Sequence, residues 1–306
     1  MQVLVTGGAG FIGSHVAEAC IEAGYGVVVV DSLARGKIEN IPDKAKFFKL
    51  DITLDSILEL QQIIADFDVK VVIHHAAQVD VSLSMLYPSS DASVNILGFI
   101  NVLEACRNTG VQKVIYASSA AIYGEPMSLP IKEEHPAFPM SPYGLSKYIG
   151  EQYLILYKQL FGLEYAILRY SNVYGPRQEV NDGGGVAAMF THKLLERINP
   201  IIYGNGEQTR DFVYVGDVAK ANVLAIDRGN DVLNISSGEQ TSINELYFSI
   251  KRILGSTLLP YYYPARLGDI EASCLDNSRA REVLGWEPQY SLLDGLNEYI
   301  NLLKSR

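Results

Sequence analysis

The chain is poor in positive charge. Lys and Arg together number 25 against 35 Asp and Glu in 306 residues, a net charge of −10. Neutralising nucleic-acid phosphates requires a basic stripe, so no nucleic-acid partner is expected, although one local basic pocket for a single diphosphate stays compatible. Cysteine is also scarce. Cys20, Cys106 and Cys274 show no C-x-x-C spacing, which argues against a disulfide framework or a metal site and fits free thiols in a reducing, cytoplasmic compartment. No apolar run reaches the ~18 residues of a membrane span. Met1 leads straight into an apolar strand with no basic segment before it, so neither a signal peptide nor a membrane association is expected. Repeats and low-complexity tracts are missing too. What is present, 48% apolar and 20% charged residues, is a globular composition long enough for two lobes.

Strands and helices alternate through the first half. Residues 2–6, 26–30, 46–50, 69–73, 111–117 and 164–170 read as strands. Helices are expected over 11–23, 57–67, 89–109 and 142–161. Strands rich in Val and Ile on both faces, joined by helices, imply a parallel sheet covered on both sides. The expected fold is therefore α/β, a Rossmann-type doubly wound sheet with a smaller α/β C-terminal substrate-binding lobe. After Tyr170 the pattern loosens. A polar glycine-rich loop spans 181–185, a helix covers 186–198, and a strand and turn cover 201–211. The stretch 217–227 reads as a helix returning to the first lobe, followed by a strand over 232–235. The expected division is 1–172 with a returning segment at about 212–236 for the first lobe, and 173–211 with 237–306 for the second.

The first loop, Thr6-Gly7-Gly8-Ala9-Gly10-Phe11-Ile12-Gly13, contains G-x-G-x-x-G between a strand and a helix. Such glycines permit a tight turn and let backbone approach a pyrophosphate at the helix N-terminus. Asp31 ends the next strand, 18 residues after Gly13. A carboxylate there accepts from the adenosine ribose and repels a 2′-phosphate, so NAD is expected over NADP, with Arg35 nearby as the opposing feature. Asp51 ends the following strand, where it could meet the adenine amino group or simply cap a helix.

Tyr143-Gly144-Leu145-Ser146-Lys147 is Y-x-x-x-K, and on a helix its first and last residues share a face. A phenolate base is scarce at neutral pH because tyrosine ionises near ~10. A neighbouring ammonium and a positive nicotinamide ring both favour the phenolate. Lowering the pKa by ~3 units requires about 4 kcal/mol. Taken alone the pair also fits a surface Tyr/Lys contact. The segment Tyr116-Ala117-Ser118-Ser119 ends a strand of the sheet, where a hydroxyl could position a reacting sugar oxygen. Chemistry alone does not choose between the two serines.

These motifs, with His74-His75-Ala76-Ala77-Gln78, Asn95, SSAAIYG at 118–124, RYSNVYGPRQ at 169–178, TRDFVYVGDV at 209–218 and PARLGD at 264–269, resemble the extended short-chain dehydrogenase/reductases. Within them the chain is most similar to the NAD-dependent epimerase/dehydratase family, on the side of the UDP-glucose 4-epimerases. The resemblance runs nearly end to end. It implies Ser119 as the catalytic hydroxyl, Tyr143 as the base, and Lys147 as the group that tunes it and holds the nicotinamide ribose. It further implies NAD contacts from Gly7, Gly10, Phe11, Ile12 and Gly13 in the loop, and from Asp31, Ser32, Leu33 and Gly36 after the second strand. Asp51, Ile52, Ala76, Ala77, Gln78, Asn95, Ala117, Tyr170 and Val173 complete that surface. For the substrate it implies Ser84 and Asn172 near the sugar or diphosphate, Arg210 and Arg266 as a phosphate clamp, Tyr203 against uracil and Asp269 on the nucleotide. Val186 and Lys193 are further candidates. His74 and His75 are expected to pack at a strand end without a catalytic role.

In the related dehydratases an Asp-Glu pair follows the catalytic hydroxyl. Here Ala120 and Ala121 stand there, so the expected reaction on a UDP-sugar is epimerisation at C4 through a transient 4-keto sugar, with NAD regenerated. Ser171 replaces the usual aromatic and Leu267 the usual proline, which bears on the shape of the sugar pocket. Ser273 is small where a bulky residue excludes N-acetylated sugars, so UDP-GlcNAc and UDP-GalNAc are expected beside UDP-glucose and UDP-galactose. A UDP-glucuronate 4-epimerase, a reductase, a dehydratase and a non-catalytic NAD-binding regulator are the alternatives. By the same resemblance the apolar faces of 89–109 and 142–161 imply a homodimer.

Overall fold

The computed structural model describes residues 1–53, 57–180, 185–265 and 269–304. Its frame alternates β1 (Gln2–Thr6), α1 (Phe11–Glu22), β2 (Gly26–Asp31), β3 (Lys46–Lys49), α2 (Ile57–Asp66) and β4 (Val69–His74). Short helices α3 (Val81–Leu86) and α4 (Pro88–Ala92) follow, then α5 (Phe99–Thr109), β5 (Lys113–Ser119), α6 (Pro142–Phe161) and β6 (Glu164–Tyr170). Seven parallel strands form one sheet, with β11 (Val232–Ile235) joining last, in the order β3-β2-β1-β4-β5-β6-β11. Chain order reverses between β1 and β4, and in such sheets ligands sit beyond the carboxyl ends at that point.

The valine runs explain the two-faced burial. In β2, Val27 and Val29 enter one apolar cluster, while Val28 and Val30 enter the other on the opposite face. Val3 and Val5 against Leu4, and Val71 and Ile73 against Val72, divide in the same way. Alternation of side chains along a strand makes each run serve both layers at once.

Between β6 and the C-terminus lie β7 (Asn172–Tyr174), α7 (Val186–Leu195), β8 (Ile201–Tyr203), β9 (Thr209–Arg210), β10 (Phe212–Tyr214) and α8 (Val215–Asp227). After β11 come β12 (Thr241–Ser242), α9 (Ile243–Leu254), β13 (Tyr261–Tyr263), α10 (Ser278–Leu284) and α11 (Leu292–Lys304). A separate cluster draws Phe190, Ile202, Phe212, Leu246, Tyr247 and Ile300 together from these segments. One buried carboxylate joins them to the sheet. Asp211 accepts from Ser171 and Ser237 hydroxyls and from the main-chain N–H of Ser237, Gly238 and Leu275.

One expectation is corrected. The single helix over 89–109 is α4, a π-helical stretch Ser93–Gly98, and α5. The strand and turn expected over 201–211 are β8 and a turn at Gly204 and Gly206, both with positive φ, followed by the short β9; that backbone region favours glycine. Arg266 and Leu267 lie outside the described residues, as do residues 181–184 of the expected polar loop. Among the described residues no helix is long and apolar enough to cross a membrane.

Candidate active site

The glycine loop is shaped by close approaches. Gly7 adopts φ +70, and a Cβ there would lie 2.6 Å from the Ala76 nitrogen; a Cβ on Gly13 would lie 2.2 Å from the Gly7 carbonyl oxygen. Both positions exclude any side chain without displacing backbone. α1 begins at Gly10 with no side-chain cap, so its first N–H groups point outward for an anion. Asp31, 8% exposed, pins the loop from behind. Its carboxylate accepts from Ala9 N at 3.0 Å and from Leu33 N at 2.8 Å. Leu33 itself has φ 60. Asp51 folds into a local turn, accepting from the Thr53 N–H and hydroxyl at 2.9 and 2.7 Å. Phe11, Ile12, Ser32, Gly36 and Ile52 border the same carboxyl edge in sequence; Ile52 is buried and the other four are half-buried. These residues fit a dinucleotide pyrophosphate and ribose.

β5 delivers the two serines in opposite directions. Ser119 caps the short turn Ala120–Ile122 by accepting from Ala121 N at 3.1 Å, and its hydroxyl lies on the Tyr143 side, where it eases ionisation of that phenol. Ser118, 3% exposed, donates to Glu151 Oε1 at 2.5 Å. Glu151 is fully buried and takes a bidentate pair from Arg169, with N–O distances of 2.9 and 2.7 Å. Arg169 also donates to Tyr123 OH, which donates to Asn234 Oδ1 at 2.7 Å. Ser119 thus faces Tyr143 while Ser118 anchors a buried strut.

α6 carries the other two groups. Ser141 caps it, accepting from Gly144 N at 3.1 Å, and Pro142 takes its first position. This places Tyr143 in the first turn and Lys147 one turn later. Lys147, 4% exposed, donates to the Ala117 carbonyl at 2.9 Å, and its Nζ lies 5.1 Å from the Tyr116 ring centroid. Burial pushes the Tyr143 hydroxyl up to about 12, with the Ser119 hydrogen bond pulling it back and Asp91 pushing it further up. Burial also brings Lys147 down to about 8, against the opposing carboxylates of Asp91 and Glu151. Lys147 by itself does not offset the burial of Tyr143; the expected depression needs the nicotinamide charge as well. The protein's own charges leave this tyrosine neutral at neutral pH, because desolvation and a negative neighbour both disfavour the phenolate.

Several expected contact residues prove to be engaged within the protein. Asn95, 2% exposed, accepts from Gln78 N and donates to the Gln78 carbonyl, Asp91 Oδ1 and Ser146 Oγ. Ser84 is fully buried; it donates to the Val81 carbonyl and accepts from Tyr143 N at 3.2 Å. Its hydroxyl therefore braces the first turn of α6 instead of facing a sugar, which corrects the expected direct contact. Tyr170 OH pairs with Asn222, whose Oδ1 also meets His75, and the His75 ring stacks on Tyr170. His74 bonds Thr6 Oγ1 at 2.8 Å and stacks on Tyr116. Burial holds His74 well below its usual pKa and His75 down to about 4, so both are neutral packing groups. Ala76, Ala77 and Val173 are half-buried.

On the opposite side Arg210, on β9, donates to the Thr209 carbonyl at 2.8 Å and lies 3.8 Å from the Asp269 carboxylate. Ser273 N donates to the carbonyl of Thr209, the neighbour of Arg210 in β9. Tyr203 ends β8 with its ring edge-on to Tyr263. Asn172 is exposed, and Val186 and Lys193 are half-buried on α7. Asp91 and the Glu151–Arg169 pair were not anticipated. The available signals were Glu151, four residues after Lys147, and Arg169 inside the quoted RYSNVYG segment.

A parallel doubly wound sheet, a dinucleotide loop at its switch point, and a Ser/Tyr/Lys constellation at the same edge define a nucleotide-cofactor enzyme of the short-chain dehydrogenase type. The profile of the NAD dependent epimerase/dehydratase family matches residues 3–236. A putative UDP-glucose 4-epimerase of Methanocaldococcus jannaschii is 48% identical over 305 residues, covering 99% of each chain. The crystal structure of a UDP-glucose 4-epimerase of Thermotoga maritima with UDP-glucose superposes with a TM-score of 0.96 at 44% identity, covering 100% of this chain and 99% of that one. A UDP-N-acetylglucosamine 4-epimerase of Methanobrevibacter ruminantium, in complex with UDP-N-acetylmuramic acid, gives 0.94 at 36% identity, covering 99% and 98%. The chain belongs to the NAD-dependent epimerase/dehydratase family.

Proposed function

We propose that the chain is a nucleotide-sugar 4-epimerase that interconverts UDP-glucose and UDP-galactose, an isomerase that uses NAD as a bound cofactor. The observation that carries the reading is the placement of the Ser119 hydroxyl beside Tyr143, with Lys147 one helical turn on and bonded to the Ala117 carbonyl, at the end of β5. NAD, when bound, supplies the acceptor and donor for the C4 hydrogen and a positive ring beside Tyr143. Tyr143 removes the proton from the 4-hydroxyl and later returns it. Ser119 holds the reacting oxygen, and Lys147 keeps a positive charge beneath the pair. Arg210 anchors the diphosphate, with Asp269 and Tyr203 on the nucleotide, so the 4-keto sugar can turn without leaving. Arg266 has the same proposed role. Ala120 and Ala121, in the turn after Ser119, offer no carboxylate for elimination, which separates this chemistry from a dehydratase's.

In this reading residues 1–172 with 212–236 bind NAD, and 173–211 with 237–306 bind the substrate. Small Ser273 favours acceptance of UDP-GlcNAc and UDP-GalNAc as well, in keeping with the name of the Methanobrevibacter relative. Leu97, Leu156, Leu160 and Phe161 are exposed on the π-helical stretch and α6, apolar surface of the kind that monomers seldom leave in water. It supports a homodimer, and the uncharged, buried cysteines fit a cytoplasmic location. Incubating the protein with a panel of UDP- and other NDP-hexoses, without added NAD(P)H, and resolving the products by chromatography tests the function. Interconversion of 4-epimers is expected; no conversion here, with turnover appearing only in a parallel reaction that contains NADH and consumes it, would point to a reductase.

A further inference from the structure

Two buried carboxylates act on Lys147, and they differ in what else they do. Glu151 is fully buried but spends its charge on Arg169, through two charge-assisted bonds, and accepts from Ser118 as well. Asp91, on α4, is 1% exposed. Its Oδ1 accepts from the side-chain amides of Gln78 at 2.9 Å and Asn95 at 3.1 Å, both neutral donors. Among the described residues its Oδ2 has no hydrogen-bond partner. A carboxylate taken out of water without a cation is costly, and attraction across a low-dielectric interior reaches further than it does in solvent.

Other groups around Lys147 cannot meet that need. From β4, His74 and His75 are neutral and act only to lower the lysine's proton affinity when charged. From β5, Tyr116 offers its ring face and Ala117 its carbonyl. On α6 itself stand Tyr143 and the already paired Glu151. A chain of hydrogen bonds joins Asp91 to the helix that carries Lys147. Asn95, on the π-helical stretch, links Asp91 to Ser146, and Ser146 donates to the Tyr143 carbonyl at 3.0 Å. π-Helical turns recur where a side chain must be aimed at a functional centre.

We propose that Asp91 is a positioning residue that serves as the buried counter-charge of Lys147, keeping that ammonium protonated at the pH of catalysis. The importance of that protonation for turnover rests on the function proposed above; the charge coupling does not. The same carboxylate opposes ionisation of Tyr143, so it sets the order of the two groups: lysine charged, tyrosine neutral until cofactor and substrate are in place.

The test uses full-length protein with saturating NAD, labelled with ε-¹³C-lysine, and the Lys147 resonance identified by its loss in Lys147→Arg. Asp91→Asn keeps an oxygen for Gln78 and Asn95 but removes the charge. The Lys147 midpoint is expected to fall by at least about half a pH unit, roughly threefold in proton affinity. The alkaline limb of kcat should move the same way with KM changed less than twofold. An unchanged Lys147 midpoint in Asp91→Asn overturns the proposal, as does a uniform loss of kcat at every pH with that midpoint intact. If Asp91→Asn does not fold, Asp91→Ser decides: a lowered Lys147 midpoint supports the proposal and an unchanged one overturns it. The resonance reports without turnover. A protein that lacks epimerase activity yet shows the shift would defeat the functional reading and leave the counter-charge standing.

Discussion

The Lys147 ammonium donates to the carbonyl of Ala117, 2.9 Å away. This bond ties the helix that carries Tyr143 to the strand that ends in Ser119. It is the main reason three residues spread over 29 positions of sequence act as one constellation. It also fixes the lysine below the tyrosine and away from solvent, where its charge counts most.

Replacing Tyr143 by Phe removes the proton-transfer group while keeping the ring. General acid–base catalysis contributes roughly 10²–10⁴ in rate, so kcat should drop by about that factor. NAD affinity, followed by fluorescence, should change little. A Tyr143→Phe enzyme with near-native kcat would remove this residue from the mechanism.

The pH profile follows from Lys147. Burial lowers its pKa to about 8, so the ammonium is present below that value and lost as pH rises through it. Activity should decline on the alkaline side with a midpoint near 8. Steady-state kcat measured from pH 6 to 10 tests this, and a rate still climbing at pH 9.5 would contradict it.

Gly13→Ala places a Cβ 2.2 Å from the Gly7 carbonyl. Backbone must move at the spot where the pyrophosphate approaches, so NAD affinity should weaken more than tenfold by titration calorimetry. Native affinity in that variant would mean the loop is not the phosphate cradle.

Arg169→Met leaves Glu151 charged and buried. Removing one partner of a buried ion pair costs about 3–5 kcal/mol. Chemical denaturation should show a loss of that size, and Glu151→Met combined with Arg169→Met should recover much of it. If the single variant is as stable as the native chain, the pair is not the strut described here.

The sheet was legible because its strands are continuous valine and isoleucine runs, and a strand buried on both faces has no other reading beside regular helices. β6 and α6 fall where their patterns end, at Tyr170 and at Phe161 before a glycine. The Y-x-x-x-K spacing likewise declares a shared helix face. Less was visible where contacts are distant in sequence. Nothing local tells Ser118 from Ser119; the choice depends on Glu151, 33 residues on, drawing one hydroxyl away. The helical pattern over 89–109 conceals the π-helical stretch, because apolar spacing barely changes when one turn widens. Asp91 falls near the start of the helix expected over 89–109 and nothing local marks it as buried; the packing of α4 on α6 encloses it. The packing of α3 on α6 turns Ser84 inward.

The account stands on transient oxidation at C4 with the hydrogen returned to the same carbon. UDP-galactose carrying deuterium at C4, incubated in ordinary water with the protein and no external reductant, tests it most directly. The expected result is UDP-glucose that retains the deuterium at C4, read by mass spectrometry and NMR. Loss of the label to solvent, or no conversion at all, would contradict it.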